Sequence, residues 1–224
     1  MTVTAKQITR QYFRPGKQRN VFTAVKETDF ELPVGKLTEI TGRSGSGKST
    51  FLNMLAGLLV PTMGKIFYDD ADIYAKSDED LARFRNQNIG VIPQGQTGLA
   101  SLTVLENVLL PAGMYESNVS DEEALSLLRE VGIEDLKDAY PSELSGGELR
   151  RMSIARALIR KPQIIFADEP TGDLDDENTR IVLSLLRKIA GEGRSVLLVT
   201  HEKEAADYAD RIYEMKDGML SFLP

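Results

Sequence analysis

Three groups of residues carry chemistry. Gly42-Arg43-Ser44-Gly45-Ser46-Gly47-Lys48-Ser49 has the phosphate-loop spacing G-x-x-x-x-G-K-[ST]. Its glycines let backbone N–H groups turn inward toward phosphate oxygens, at the positive end of the helix that follows. Lys48 has the length to reach β- and γ-phosphates, and the Ser49 hydroxyl suits Mg²⁺. Asp168-Glu169 closes an apolar run over 164–167. An acid at a strand end can hold Mg²⁺, and the next residue can polarise an attacking water. Acids are common after strands, so this pair gains its meaning only beside the phosphate loop. His201, the only histidine, follows the apolar stretch Ser195–Thr200. A lone histidine is more often structural, but the C-terminal edge of a parallel sheet is where α/β folds bind ligands.

These groups need elements to hold them. Leu37–Thr41 reads as a strand, and 48–56 as a helix stopped by Gly57. Further strands are predicted at 89–93, at 164–167 and at Ser195–Thr200. Strand and helix alternate around 37–92 and again from Gln163, which predicts a parallel sheet with helices on its faces. Residues 3–32 read as two strands around a polar turn with Pro15, Gly16 and Asn20, and 65–68 as another, giving an antiparallel flank. Between them 95–159 is mostly helical. Ser120 with Glu123 forms a capping-box pattern, and Ala124, Leu127, Leu128 and Val131 share one face, read as core packing. A helix over 148–159 places the Ser145-Gly146-Gly147 amides at its N-terminus, aimed at an anion. Arg150, Arg151 and Arg156 along it read as surface or ion-pair residues. A hairpin with an Asp217-Gly218 turn closes the sequence. No internal repeat or low-complexity tract is visible.

With these motifs in place, the chain resembles the ATP-binding subunit of ABC transporters over nearly its whole length. The resemblance rests on the phosphate loop, Gln94 after the strand at 89–93, the signature Leu144-Ser145-Gly146-Gly147-Glu148, Asp168-Glu169, the loop Gly172-Asp173-Leu174-Asp175, and His201. Within the superfamily it is similar to the lipoprotein-release, macrolide-export and antimicrobial-peptide-export group, through 167–175, Leu102-Thr103, Glu106-Asn107-Val108 and Pro111.

The resemblance implies a P-loop NTPase (RecA-like) α/β core at about 36–94 and 160–224, an antiparallel β flank at about 1–35 and 64–75, and a helical lobe at about 95–159. It implies ATP and Mg²⁺ as cofactors. Gly42, Ser44, Gly45, Ser46, Gly47, Lys48, Ser49 and Thr50 would hold the phosphates. Ser49, Gln94 and Asp168 would hold Mg²⁺, with Gln94 also sensing a permease. Glu169 would be the general base and His201 would contact the γ-phosphate. Ser145, Gly146 and Gly147 would bind the ATP of a second copy, and Asp175 would bridge the two sites. Tyr12 best fits the adenine-stacking position, with Phe13 its neighbour. The implied partners are a second copy, docked head to tail around two ATP, and an integral membrane permease that keeps the chain at the inner face of the membrane.

Several positions depart from the common pattern. Glu148 stands where Gln is usual and Met63 where serine is usual. Asp69-Asp70 replaces a Gly-bearing turn, and 95–100 is hydrophilic where relatives often carry aromatics. No catalytic position is missing, so an active ATPase is expected.

Composition sets bounds. The chain has 224 residues, 42% hydrophobic and 27% charged, ordinary for a globular protein. It has no Cys, and so no disulfide or Cys-ligated zinc. No apolar run reaches the ~18 residues of a membrane span, and the first 19 residues lack a signal-peptide core. The net charge of −7 is concentrated in 116–143, which holds nine acids and two bases; the remainder is balanced. Acidic surface disfavours nucleic acid as the main partner. A solvated helical face is the simplest account of that region, and a contact with basic permease segments the sharper one. A motor for a non-transporting envelope-remodelling or peptide-sensing complex would carry the same motifs. A soluble ATPase on DNA or ribosomes is disfavoured by the charge and by the single copy of each motif.

Overall fold

The computed structural model describes residues 1–13, 21–95, 98–115 and 117–224. The expected turn at Pro15, Gly16 and Asn20 lies outside them, as do Gln96, Thr97 and Glu116. The chain opens with strands β1 (Val3–Phe13) and β2 (Val21–Leu32), then β3 (Leu37–Thr41) and helix α1 (Lys48–Leu55). Next come β4 (Met63–Tyr68), β5 (Ala71–Asp72), α2 (Asp78–Asn88) and β6 (Ile89–Ile92). Helices α3 (Val104–Gly113), α4 (Asp121–Glu130) and α5 (Gly146–Leu158) follow. The chain closes with β7 (Ile164–Asp168), α6 (Asp176–Gly191), β8 (Ser195–Thr200), β9 (Arg211–Lys216) and β10 (Met219–Leu223).

Two sheets form. One is antiparallel in the order β2-β1-β4-β5. The other runs β10-β9-β3-β8-β7-β6, parallel from β9 to β6 and closed by the β9–β10 hairpin. In β7 and β8 every residue is buried, as expected of central strands covered on both faces. One face packs on α1 and the antiparallel sheet through Phe51, Leu55, Phe166 and Val199. The other packs on α5 and α6 through Met152, Ile154, Leu186 and Leu198. That second cluster continues into the lobe through Val104, Val108, Ala124 and Leu128.

Capping explains the helix starts. Thr103 with Glu106, Ser120 with Glu123 and Ser145 with Glu148 each form a capping box. Helix α5 therefore starts two residues before the expected position, because Ser145 rather than Gly147 is its cap. Helix α2, not singled out in the sequence, is capped by Ser77 and carries three acids in its first turn. In the acidic region, Glu123 pairs with Lys161, Glu130 with Lys188, and Glu134 with Arg129. These local partners favour the solvated-face account over a surface charge reserved for a permease.

Glu39 is the exception inside the sheet. It sits on β3 between β8 and β9, 1% exposed, with Oε2 lacking a hydrogen-bond partner among the described residues. Burial pushes its carboxyl from 4.5 up to about 7. The folded state then holds this proton more tightly than the unfolded state. Stability is highest below the unfolded value and falls as pH rises toward the folded one; above it the full cost of the buried charge is present. Glu39→Gln is expected to stabilise the chain at pH 8 by about 3 kcal/mol, at about 1.4 kcal/mol per pKa unit. The gain should vanish near pH 4. Thermal melts at both pH values check this, and an equal difference at both would rule it out.

Candidate nucleotide site

The chemistry-bearing residues gather at one edge of the sheet, where four parallel strands end. β3 runs into the phosphate loop, β6 into Pro93 and Gln94, β7 into Asp168-Glu169, and β8 into His201. The loop closes tightly. Gly47 has φ 111°, and a Cβ there would meet the Ala24 carbonyl oxygen at 2.3 Å, so only glycine fits. Lys48 is 5% exposed; its Nζ donates to the Gly42 carbonyl at 2.7 Å and lies 3.5 Å from Glu169 Oε1. Ser49 Oγ donates to Asp168 Oδ1 at 2.9 Å. Burial pushes the Asp168 carboxyl above its usual range and the Glu169 charge adds to this, while the Ser49 hydrogen bond opposes it.

Glu169 has φ 46°, a left-handed conformation unusual for a glutamate. Its N–H still bonds the Val199 carbonyl at 2.8 Å, so the turn is tied to β8 as it leaves β7. The carboxylate is thereby held between two neighbours: Oε1 near Lys48, and Oε2 2.9 Å from His201 Nδ1. In a neutral ring whose Nδ1–H donates to Glu169, Nε2 is an acceptor. A bond from Nε2 to a phosphate oxygen therefore needs the imidazolium or a turned ring.

A cleft of about 400 Å³ opens over these residues, lined by Tyr12, Phe22, Ala24, Ser44, Gly45, Gly47, Lys48, Ser49, Thr50, Gln94 and Glu169. The structure thus brings Tyr12, the phosphate loop, Gln94, Asp168, Glu169 and His201 together. Tyr12 is held by Arg10, whose guanidinium carbon lies 4.8 Å from the ring centre. Phe22, which no sequence motif marks, lines the same end because β2 pairs it with Tyr12. Phe13 is exposed and does not line the cleft. Gly42 and Ser46 lie behind the loop: a Cβ on Gly42 would meet the Met215 carbonyl oxygen at 2.3 Å, and Ser46 borders a second hollow with Glu214 and Lys216.

Ser145, Gly146, Gly147 and Asp175 do not line the cleft. The signature turn forms the N-terminus of α5. Ser145 Oγ and Glu148 satisfy each other's backbone amides, and the Gly146 and Gly147 amides of the first turn have no acceptor within the helix. Asp175 caps α6 by accepting the Asn178 N–H at 2.8 Å. Of the arginines of α5 expected at the surface or in ion pairs, two instead bond neutral groups of distant elements. Arg150 is 6% exposed and donates to the Pro93 carbonyl at 2.9 Å, next to Gln94. Arg151 donates to Asn178 Oδ1 at 2.7 Å. Both partners are distant in sequence, so periodicity could not reveal them.

Comparison with known proteins agrees with this geometry. The model of the ABC transporter family matches residues 25–172. The lipoprotein-releasing system ATP-binding protein LolD of Idiomarina loihiensis is 37% identical, over 96% of this chain and 94% of its own length. The macrolide export ATP-binding/permease protein MacB of a Shewanella species is 37% identical over 93% of this chain, which spans only 32% of that protein. Among solved structures, the dimeric post-hydrolysis state of the ATP-binding cassette MJ0796, bound to ADP and Pi, superposes with a TM-score of 0.90 at 34% identity and covers 99% of both chains.

Proposed function

The chain belongs to the ABC transporter family, and from that premise we propose that it is the ATP-hydrolysing subunit of a membrane transporter, dimerising around two ATP to drive a partner permease. The observation that carries the dimer is the separation of the two half-sites. The phosphate cleft and the signature turn lie on one chain without meeting, which supports a dimer in which a second copy brings its signature to the first copy's ATP.

In this reading the adenine lies at the Tyr12 and Phe22 end of the cleft. The loop amides and Lys48 hold the phosphates. The site residues fit a hard cation: the Ser49 hydroxyl lies against the Asp168 carboxylate, Gln94 lines the same cleft, and all three offer oxygen. Ser49, Asp168 and Gln94 would hold Mg²⁺, which would supply charge neutralisation for the β- and γ-phosphates. Glu169 takes a proton from water as the water oxygen bonds to the γ-phosphorus. The bond to the β-phosphate oxygen breaks, leaving ADP and phosphate. His201 holds the Glu169 carboxylate and stands beside the γ-phosphate. Asp175, on the signature side, meets the partner.

Export or lipoprotein handling follows the names of the relatives above. No helix among the described residues is long and apolar enough to cross a membrane, so placement at the inner membrane face depends on the permease. Tagged Glu169→Gln chain, loaded with ATP, should recover a permease with a large extracytoplasmic domain from solubilised membranes. Recovery of ribosomes or DNA-bound proteins with no membrane protein would overturn the transport reading and leave the ATPase chemistry standing.

A further inference from the structure

Asn178 lies at the first turn of α6, outside the cleft, yet its side-chain amide sits between two charged groups. Oδ1 accepts from Arg151 Nη1 at 2.7 Å, and Nδ2 donates to both carboxylate oxygens of Asp175 at 3.0 and 3.1 Å. A cation on the oxygen and a carboxylate on the nitrogen leave the amide one orientation. The Asn178 bonds also hold the Asp175 carboxyl below its usual range, the backbone N–H first and the side chain second. The same amide packs against the signature turn: a Cβ on Gly147 would lie 2.3 Å from Asn178 Oδ1. Arg151 stands one turn further along α5 than Gly147. One side chain therefore touches the signature turn, the helix behind it and the acid that caps α6.

We propose that Asn178 is a positioning residue that locks Gly147 and Asp175 into one fixed arrangement, so that each chain presents both groups together to its partner's ATP. The inference rests on the dimer reading above. A surface set before the encounter loses less freedom when the dimer closes. Without the amide, Asp175 keeps its capping bond but its carboxylate loses the side-chain donor that aims it, and the Gly147 face loses its packing.

The test uses the full chain in a Glu169→Gln background at saturating ATP. Asn178→Asp keeps size and the acceptor for Arg151 but turns a like charge on Asp175. Asn178→Leu keeps bulk and removes all three side-chain bonds. Sedimentation should show the dimer weakened about tenfold or more in both, the scale of a lost hydrogen bond to a charged group. Binding of a fluorescent ATP analogue to the dilute, monomeric chain should stay within about twofold, since the cleft is untouched; a merely structural role would not separate these two readouts. Variants that dimerise with the parent's constant overturn the proposal alone. A parent that stays monomeric overturns the dimer reading and this inference with it.

Discussion

Glu169→Gln is expected to bind ATP almost normally and hydrolyse it about 10²–10⁴-fold more slowly, the usual contribution of a positioned base. The substitution is nearly isosteric. The amide oxygen that it introduces can still meet His201, so the end of β7 should keep its shape. What disappears is the proton acceptor and the charge 3.5 Å from Lys48. With hydrolysis blocked, the ATP-bound dimer has no exit and should accumulate on size exclusion with light scattering. Phosphate release within about tenfold of the parent would sink the base assignment.

Lys48→Ala is expected to weaken nucleotide binding by about 10²–10³-fold, since a charge-assisted contact to phosphate is lost from a protected site. The lysine does two jobs. Its ammonium bonds the Gly42 and Arg43 carbonyls at 2.7 and 3.3 Å and so shapes the loop. It also offsets the buried carboxylates of Asp168 and Glu169. Removing it should therefore lower the melting temperature as well as affinity. Lys48→Arg separates the two jobs: it restores charge but its planar fork does not fit the space of a single ammonium, so stability should recover further than binding. Unchanged affinity in Lys48→Ala would remove the loop from the site altogether.

Much of this is legible along the chain, because each motif is local. The phosphate loop needs glycines at fixed spacing. Central strands need continuous apolar runs, and the Asp217-Gly218 turn needs two residues tolerant of positive φ, here 51° and 77°. The Ser77, Asp78, Glu79 and Asp80 run of α2 is a start signal of the same local kind. What stays hidden is long-range. Nothing in the pattern of α5 distinguishes Arg150, buried on the Pro93 carbonyl, from a surface arginine. Phe22 enters the cleft through strand pairing, and Asn178 gains its meaning from Gly147, which is 31 positions away. The left-handed turn at Glu169 has no signature in residue type at all.

The signature turn does not line the phosphate cleft, and in the proposed dimer this would make the chain sensitive to dilution. In the proposed dimer a free chain would have to find a copy before turning over ATP, so its specific activity should rise with its own concentration and a scarce subunit would idle. A permease that holds two copies side by side replaces that search with a high effective concentration set by the spacing of its docking points. Mixing gives the same result in another form. A heterodimer of one intact chain and one Lys48→Ala chain keeps one composite site whole, whereas the other has a signature but no phosphate cradle. In such mixtures output should follow the statistics of pairing rather than the simple fraction of intact chains.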